Sequence, residues 1–148
     1  MKLVDVYSDP DAAVPLWNIL LENVQPGKSM PEWTEYQVWI VSRPYKEWFL
    51  VTDCGIVKGE VHLTEENELY VHILKKWQRQ GFGIFAVTSM MLRHCTEPLK
   101  VNIYKNFDAC YNLFKSLGFI PVKASMQLET WRNPYSMARE PTDECDAA

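Results

Sequence analysis

At 148 residues, with a formal net charge of −4 and 47% hydrophobic residues, the chain is the size of one domain and has side chains enough for a core. It lacks the basic excess of a nucleic-acid-binding surface, so nucleic acid is not an expected partner. Four cysteines, Cys54, Cys95, Cys110 and Cys145, show no C-x-x-C spacing and no histidine at zinc-finger distance. Reduced thiols and no metal site are expected. The opening MKLVDVYSDP has no apolar signal-peptide region, and no apolar run is long enough to cross a bilayer. The expectation is a cytoplasmic protein without a membrane partner.

KLVDVY alternates and predicts a first strand. Asp9 or Asp11 is placed to cap a helix over AAVPLWNILLENV, with Pro15 tolerated in its first turn. PEWTEYQVWIVS predicts a second helix, with Trp33, Tyr36, Gln37 and Ile40 on one side. EWFLVTD and IVKGEVHLT form a predicted hairpin about a turn at Asp53 to Gly55, and LYVHILKK follows as a third strand. After WQRQGFG comes a helix over IFAVTSMMLRHC, then the strand LKVNIY. FDACYNLFKSL is an amphipathic helix that Gly118 stops, and FIPVKASMQLETW returns as one or two strands. The tail from Asn133 shows no periodicity and is expected to be loose, leaving 1–132 as one domain. The order predicts a mixed α/β layered domain. Its meander should be antiparallel, and its strand–helix–strand step parallel.

The segment from Trp77 to Ala86 carries two glycines, Gly81 and Gly83, behind Gln78, Arg79 and Gln80. A helix opening after such a turn offers free backbone N–H groups and the positive end of its dipole, a site for an anion such as a phosphate. GFGIFA also meets the dinucleotide pattern G-x-G-x-x-G/A, but an antiparallel meander precedes it. No acid stands about 20 residues on, where a ribose would be read. The absence of G-K-[S/T] excludes a P-loop.

ILKKWQRQGFGIFAVTSMML resembles the pyrophosphate-binding segment of the GNAT superfamily, the acyl-CoA-dependent N-acyltransferases. The family's R/Q-x-x-G-x-G/A is met by Gln78, Gly81 and Gly83. Ile73, Lys75, Lys76 and Trp77 match the apolar strand end, polar stretch and aromatic before it. NFDACYNLFKSLGF resembles the family's second cofactor segment through Gly118 and Phe119, with Asn106 one residue out of register. The resemblance runs from about Leu3 to Trp131 and implies acetyl-CoA as acyl donor. Its pyrophosphate would lie on the amides of Arg79, Gln80, Gly81, Phe82, Gly83 and Ile84. Its pantetheine arm would lie along His72, Ile73 and Leu74, between two splayed parallel strands. It further implies a mostly antiparallel sheet of six to seven strands flanked by helices.

Acyl transfer to an amine needs a base and a donor to the tetrahedral oxyanion. The family's tyrosine acid falls on Phe114, which has no proton to give; Tyr111, one turn earlier, is the substitute, or the thiolate leaves unaided. Glu68, Tyr70 and His72 alternate along one side of a strand, and His72 has a suitable intrinsic pKa. Glu60 and His62 on the neighbouring strand are further candidates, although alternating polar residues equally suit a solvent-facing side. His94 reads as a partner of a helix C-terminus. In the family the early helices and late hairpin shape the acceptor groove, and here they carry Trp33, Tyr36, Trp39, Tyr45 and Trp131. Two readings stand. One is an N-acetyltransferase acting on a primary amine of a small molecule or protein. The other is a catalytically weak protein of the same fold that binds acyl-CoA or a protein partner. A homodimer is compatible with both.

Overall fold

A short apolar segment, Lys2–Asp5, forms β1 and runs directly into a 3₁₀ turn, Val6–Ser8. The computed structural model describes residues 1–24, 27–102, 108–124 and 135–139. Helices α1 (Ala13–Asn23) and α2 (Trp33–Val41) follow, then β2 (Glu47–Asp53), β3 (Ile56–Leu63) and β4 (Leu69–Ile73). After a 3₁₀ turn at Lys75–Trp77 come α3 (Phe82–Arg93), β5 (Leu99–Asn102), α4 (Asp108–Ser116), β6 (Ile120–Ala124) and β7 (Tyr135–Arg139).

Packing divides the chain into two compact units. One is Met1–Glu65 with Tyr70–Val87; the other is Glu66–Leu69 with the residues from Thr88 on. The first contains a sheet ordered β1-β2-β3-β4, in which β1–β2 and β2–β3 are antiparallel. Only five residues link β3 to β4, too few for the crossover that a parallel neighbour needs. Its core gathers Val6, Ala12, Leu16, Tyr36, Ile40, Trp48 and Leu50. Helical spacing puts Tyr36 and Ile40 on the same side of α2, as the sequence predicts. In the second unit β7 lies between β5 and β6, antiparallel to both, and Leu99, Val101, Phe114 and Phe119 are buried. Strands β4 and β5, expected to pair in parallel across the helix, belong to different sheets; the parallel contact among the described residues is the isolated bridge Glu68–Lys100. The α/β class and antiparallel meander are as expected, but the seven strands among the described residues fall into two sheets.

Several expectations need correction. Neither Asp9 nor Asp11 caps α1. Asp9 instead accepts the Asp11 N–H in a turn one residue earlier, and the N-cap residue, Ala12, is already helical. Helix α3 begins at Phe82, two residues sooner than its apolar run suggests, because Gly81 supplies the carbonyl for the Phe85 N–H. Strand β7 lies inside the stretch expected to be loose; its ladders with two neighbours supply what its own sequence does not advertise. Cys95 is disulfide-bonded, against the expectation of reduced thiols throughout, while Cys54 and Cys110 are free. Among the described residues no helix is long and apolar enough to cross a membrane. Gly118 ends α4 as predicted, at φ +93°, with the Phe119 N–H donating to the Phe114 carbonyl.

Gly59 sets the spacing of β3 and β4. A Cβ there would stand 2.1 Å from the His72 carbonyl oxygen and 2.9 Å from the Ile73 Cα. Both are backbone atoms, so an alanine must push the strands apart. Gly59→Ala is expected to cost roughly 1–3 kcal/mol, a fall of about 5 °C in melting temperature, by thermal denaturation.

Candidate functional site

Strand β3 is buried from Lys58 to Leu63. It runs between β2 and β4 and is covered on both faces, so its polar side chains must find partners inside the protein. Glu60, 5% exposed, does so three times. Its Oε2 accepts the Trp48 Nε1–H at 2.9 Å and pairs with His62 Nδ1 at 2.9 Å. Its Oε1 pairs with His72 Nδ1, on β4, at 2.5 Å. A carboxylate only accepts, so the hydrogen on each Nδ1 is assigned by the network and Nε2 of His72 becomes that ring's accepting nitrogen. His62 is stacked between Tyr45, with ring centroids 3.8 Å apart, and Tyr70, at 5.1 Å.

The electrostatics follow from this pairing. Burial alone would raise the Glu60 pKa, but the charge and hydrogen bonds of the two imidazoles outweigh it and hold the carboxyl down at about 2. Burial pulls the His72 pKa down; the hydrogen bond and charge of Glu60 pull it up harder, and the net shift is upward. Tyr45 is pushed up to about 12 by burial and then by the Glu60 charge, and Tyr36 is raised by the same causes. Both remain neutral phenols. Glu60 and His62 therefore do not form the solvent side of an alternating strand. Trp48, Tyr45 and Tyr70 cover that face.

The glycine loop lies in the same unit. Lys75–Trp77 is tied to the end of α1 by the Lys75 N–H, which donates to Glu22 Oε1 at 2.7 Å. Gln78 Nε2 donates to the Ile73 carbonyl at 3.0 Å, so this amide ties the loop to the strand. The Leu74 N–H is taken by the Lys58 carbonyl, and Gln80 Nε2 reaches the Lys76 carbonyl at 3.4 Å. Arg79 and Gly81 both have positive φ, +61° and +89°. Gly81 is the N-cap of α3, which leaves the N–H groups of Phe82 and Gly83 without helical acceptors. Gly83 is different: its φ is ordinary, and a Cβ there would meet only Ile73 Cγ1, at a comfortable 3.9 Å. Nothing in the protein requires a glycine at 83, and in a first helical turn it forgoes up to about 1 kcal/mol relative to alanine. A backbone left bare at its own cost suits close approach by a ligand.

The other predicted residues lie elsewhere. Glu68 stands before β4 at the bridge to Lys100, and Tyr111 is on α4; both belong to the second unit. Phe114 is core, edge-on to Phe119 at 5.2 Å. Asn106 and Trp131 lie outside the described residues. Sequence reasoning gave no role to Trp48, Lys58 or Gly59. The signal for two of them was Lys-Gly-Glu-Val-His, polar groups spaced by two inside an apolar hairpin strand.

No protein-family model matches the chain, and no curated protein is similar to it in sequence. Solved structures match its fold. The ribosomal-protein-alanine N-acetyltransferase of Brucella melitensis superposes with a TM-score of 0.73 at 15% identity, covering 95% of this chain and 99% of that one. A ribosomal L7/L12 α-N-protein acetyltransferase in complex with coenzyme A gives 0.76 at 13% identity, over 99% and 94%. A chimeric spermidine N-acetyltransferase of Vibrio cholerae gives 0.75 at 17% identity, over 93% and 94%. The chain has the fold of these acetyltransferases along nearly its whole length.

Proposed function

We propose that the chain is an acyl-CoA-dependent N-acyltransferase that moves an acetyl group from acetyl-CoA to a primary amine of a small molecule or a protein. The observation that carries this is the amide-presenting loop from Arg79 to Gly83, bare at Gly83 for no internal reason, on the fold of acetyltransferases. The loop's N–H groups and the α3 dipole hold the pyrophosphate. Strand β4, at the edge of its sheet, offers a backbone rim along which the pantetheine arm lies like an added strand.

His72 Nε2 takes the proton from the amine, directly or through one water, as Nδ1–H remains on Glu60. The amine nitrogen attacks the thioester carbonyl, the tetrahedral intermediate collapses, and coenzyme A leaves as thiolate. That thiolate is protonated by Tyr111 or by solvent, because Phe114 cannot do it. Glu68 is the second candidate for the base. Neutral Tyr45, beside the paired Glu60 and half-buried, is the aromatic wall for the acceptor, with Tyr36 in the core. The catalytic domain extends at least through Arg139, since β7 joins β5 and β6. A cytoplasmic location completes this reading.

Calorimetric titration with acetyl-CoA tests the loop. Gly81→Glu puts an anion where the pyrophosphate belongs and is expected to weaken binding by about 100-fold. Gly83→Ala is expected to hold or raise the melting temperature yet weaken binding by about tenfold. A folded Gly81→Glu protein that binds as tightly as the parent refutes the loop assignment. Acetyl-CoA binding without release of coenzyme A across a panel of amines leaves the catalytically weak reading, which Phe114 favours.

A further inference from the structure

Lys58 is 5% exposed, yet no carboxylate is paired with it among the described residues. Its Nζ stands 3.1 Å from the centroid of the Trp77 ring and 5.4 Å from that of Phe82. Glu22, near the end of α1, is bound to the Lys75 N–H. Burying an ammonium without a counter-ion is costly, and ring faces offset only part of that cost. The strand is built to do it. The β2–β3 register passes from Val51–Gly59 to Thr52–Val57, leaving Lys58 as the extra residue of a bulge, a device that re-aims a side chain. The bulge is also tied to the loop, through the Leu74 N–H on the Lys58 carbonyl.

The two rings are the two ends of the glycine loop. Trp77 closes the turn before it, and Phe82 opens α3 after it. Trp77 also carries a buried Nε1–H with no acceptor among the described residues, a donor in the same place. A buried, unneutralised cation against both anchors of a loop that presents free amides makes sense if the missing counter-charge is a ligand. We infer that Lys58 is a positioning residue for the phosphate-bearing part of the donor. It holds Trp77 and Phe82 so that the amides between them converge, and adds its charge beneath them.

This inference rests on the acyltransferase reading only for the identity of the ligand. The test compares acetyl-CoA with acetyl-pantetheine, which has the thioester and arm but no phosphate. Calorimetry gives affinity, and steady-state transfer gives KM and kcat for each. Lys58→Met, which keeps the length and removes the charge, is expected to weaken acetyl-CoA binding at least tenfold, leaving KM for acetyl-pantetheine and kcat unchanged. Lys58→Arg is expected to return acetyl-CoA affinity to within threefold of the parent. Equal losses for both donors, or an arginine variant no better than methionine, would mean mere structural support and overturn the inference. Should Lys58→Met fail to fold, Trp77→Leu keeps the charge and removes the ring. It is expected to show the same selective loss, and an equal loss for both donors is again fatal. Titration with inorganic pyrophosphate separates the two claims. A parent that binds pyrophosphate through Lys58 but transfers no acetyl group refutes the enzyme and keeps the anion site. A parent that binds neither refutes both.

Discussion

Replacing His72 with alanine is expected to lower kcat for acetyl transfer by about 10²- to 10⁴-fold while leaving acetyl-CoA affinity within about twofold of the parent. The first half follows from the base being removed. The second follows from where the binding groups are: the loop amides, the Gln78 tie to Ile73 and the Lys58 bulge do not involve the imidazole. The protein should remain folded, because Glu60 keeps the Trp48 and His62 donors and the His72 side chain is 38% exposed. The measurement is stopped-flow or steady-state release of coenzyme A, beside a calorimetric titration of the same variant. Unchanged turnover would move the base to Glu68 or to solvent. Loss of affinity together with turnover would mean that the ring supports the site and does no proton transfer.

What the sequence reveals here depends on whether a feature is local. Strand β2 is predicted to the residue, and Gly118 is legible as a helix stop, because turn chemistry and short-range pattern decide both. Gly81 is legible in the same way as a turn before a helix, although α3 opens at Phe82, two residues before the apolar run that announces it. Glu60 and His62 were harder. Alternation says that two residues share a face, but not whether that face meets water. Here Trp48, Tyr45 and Tyr70 cover it, and the polar pair becomes the buried centre of a network. The Lys58 bulge is invisible for a further reason, since an extra residue in one strand is defined only against its partner's register. The same is true of Gly59, whose need for a bare Cα comes from the His72 carbonyl on another strand. Strand β7 has no periodicity of its own; its two ladders make it a strand.

Replacing Glu60 is expected to be the most destabilising single change in the first unit. Glu60→Leu leaves the Trp48 Nε1–H and two imidazoles without their acceptor inside the protein, a loss of about 3–5 kcal/mol by chemical denaturation. Against the 5–15 kcal/mol typical of a domain, that approaches unfolding. The pH dependence of the parent should show the same group. The Glu60 pKa is depressed from 4.5 to about 2, so its stabilisation is fully present above 4.5 and lost as pH falls toward 2. That span corresponds to about 3 kcal/mol. The His72 pKa is raised above 6.5, so its contribution is present below 6.5 and lost as pH rises through the shifted value. From these two groups, stability should peak between about pH 4.5 and 6.5. Glu60→Gln keeps the shape and removes the charge that raises His72. The acid limb of kcat/KM, where neutral His72 is required, should therefore move to lower pH as the maximal rate falls with the weaker base. A limb that stays in place while the rate falls would separate Glu60 from His72 and leave the carboxylate a purely structural role.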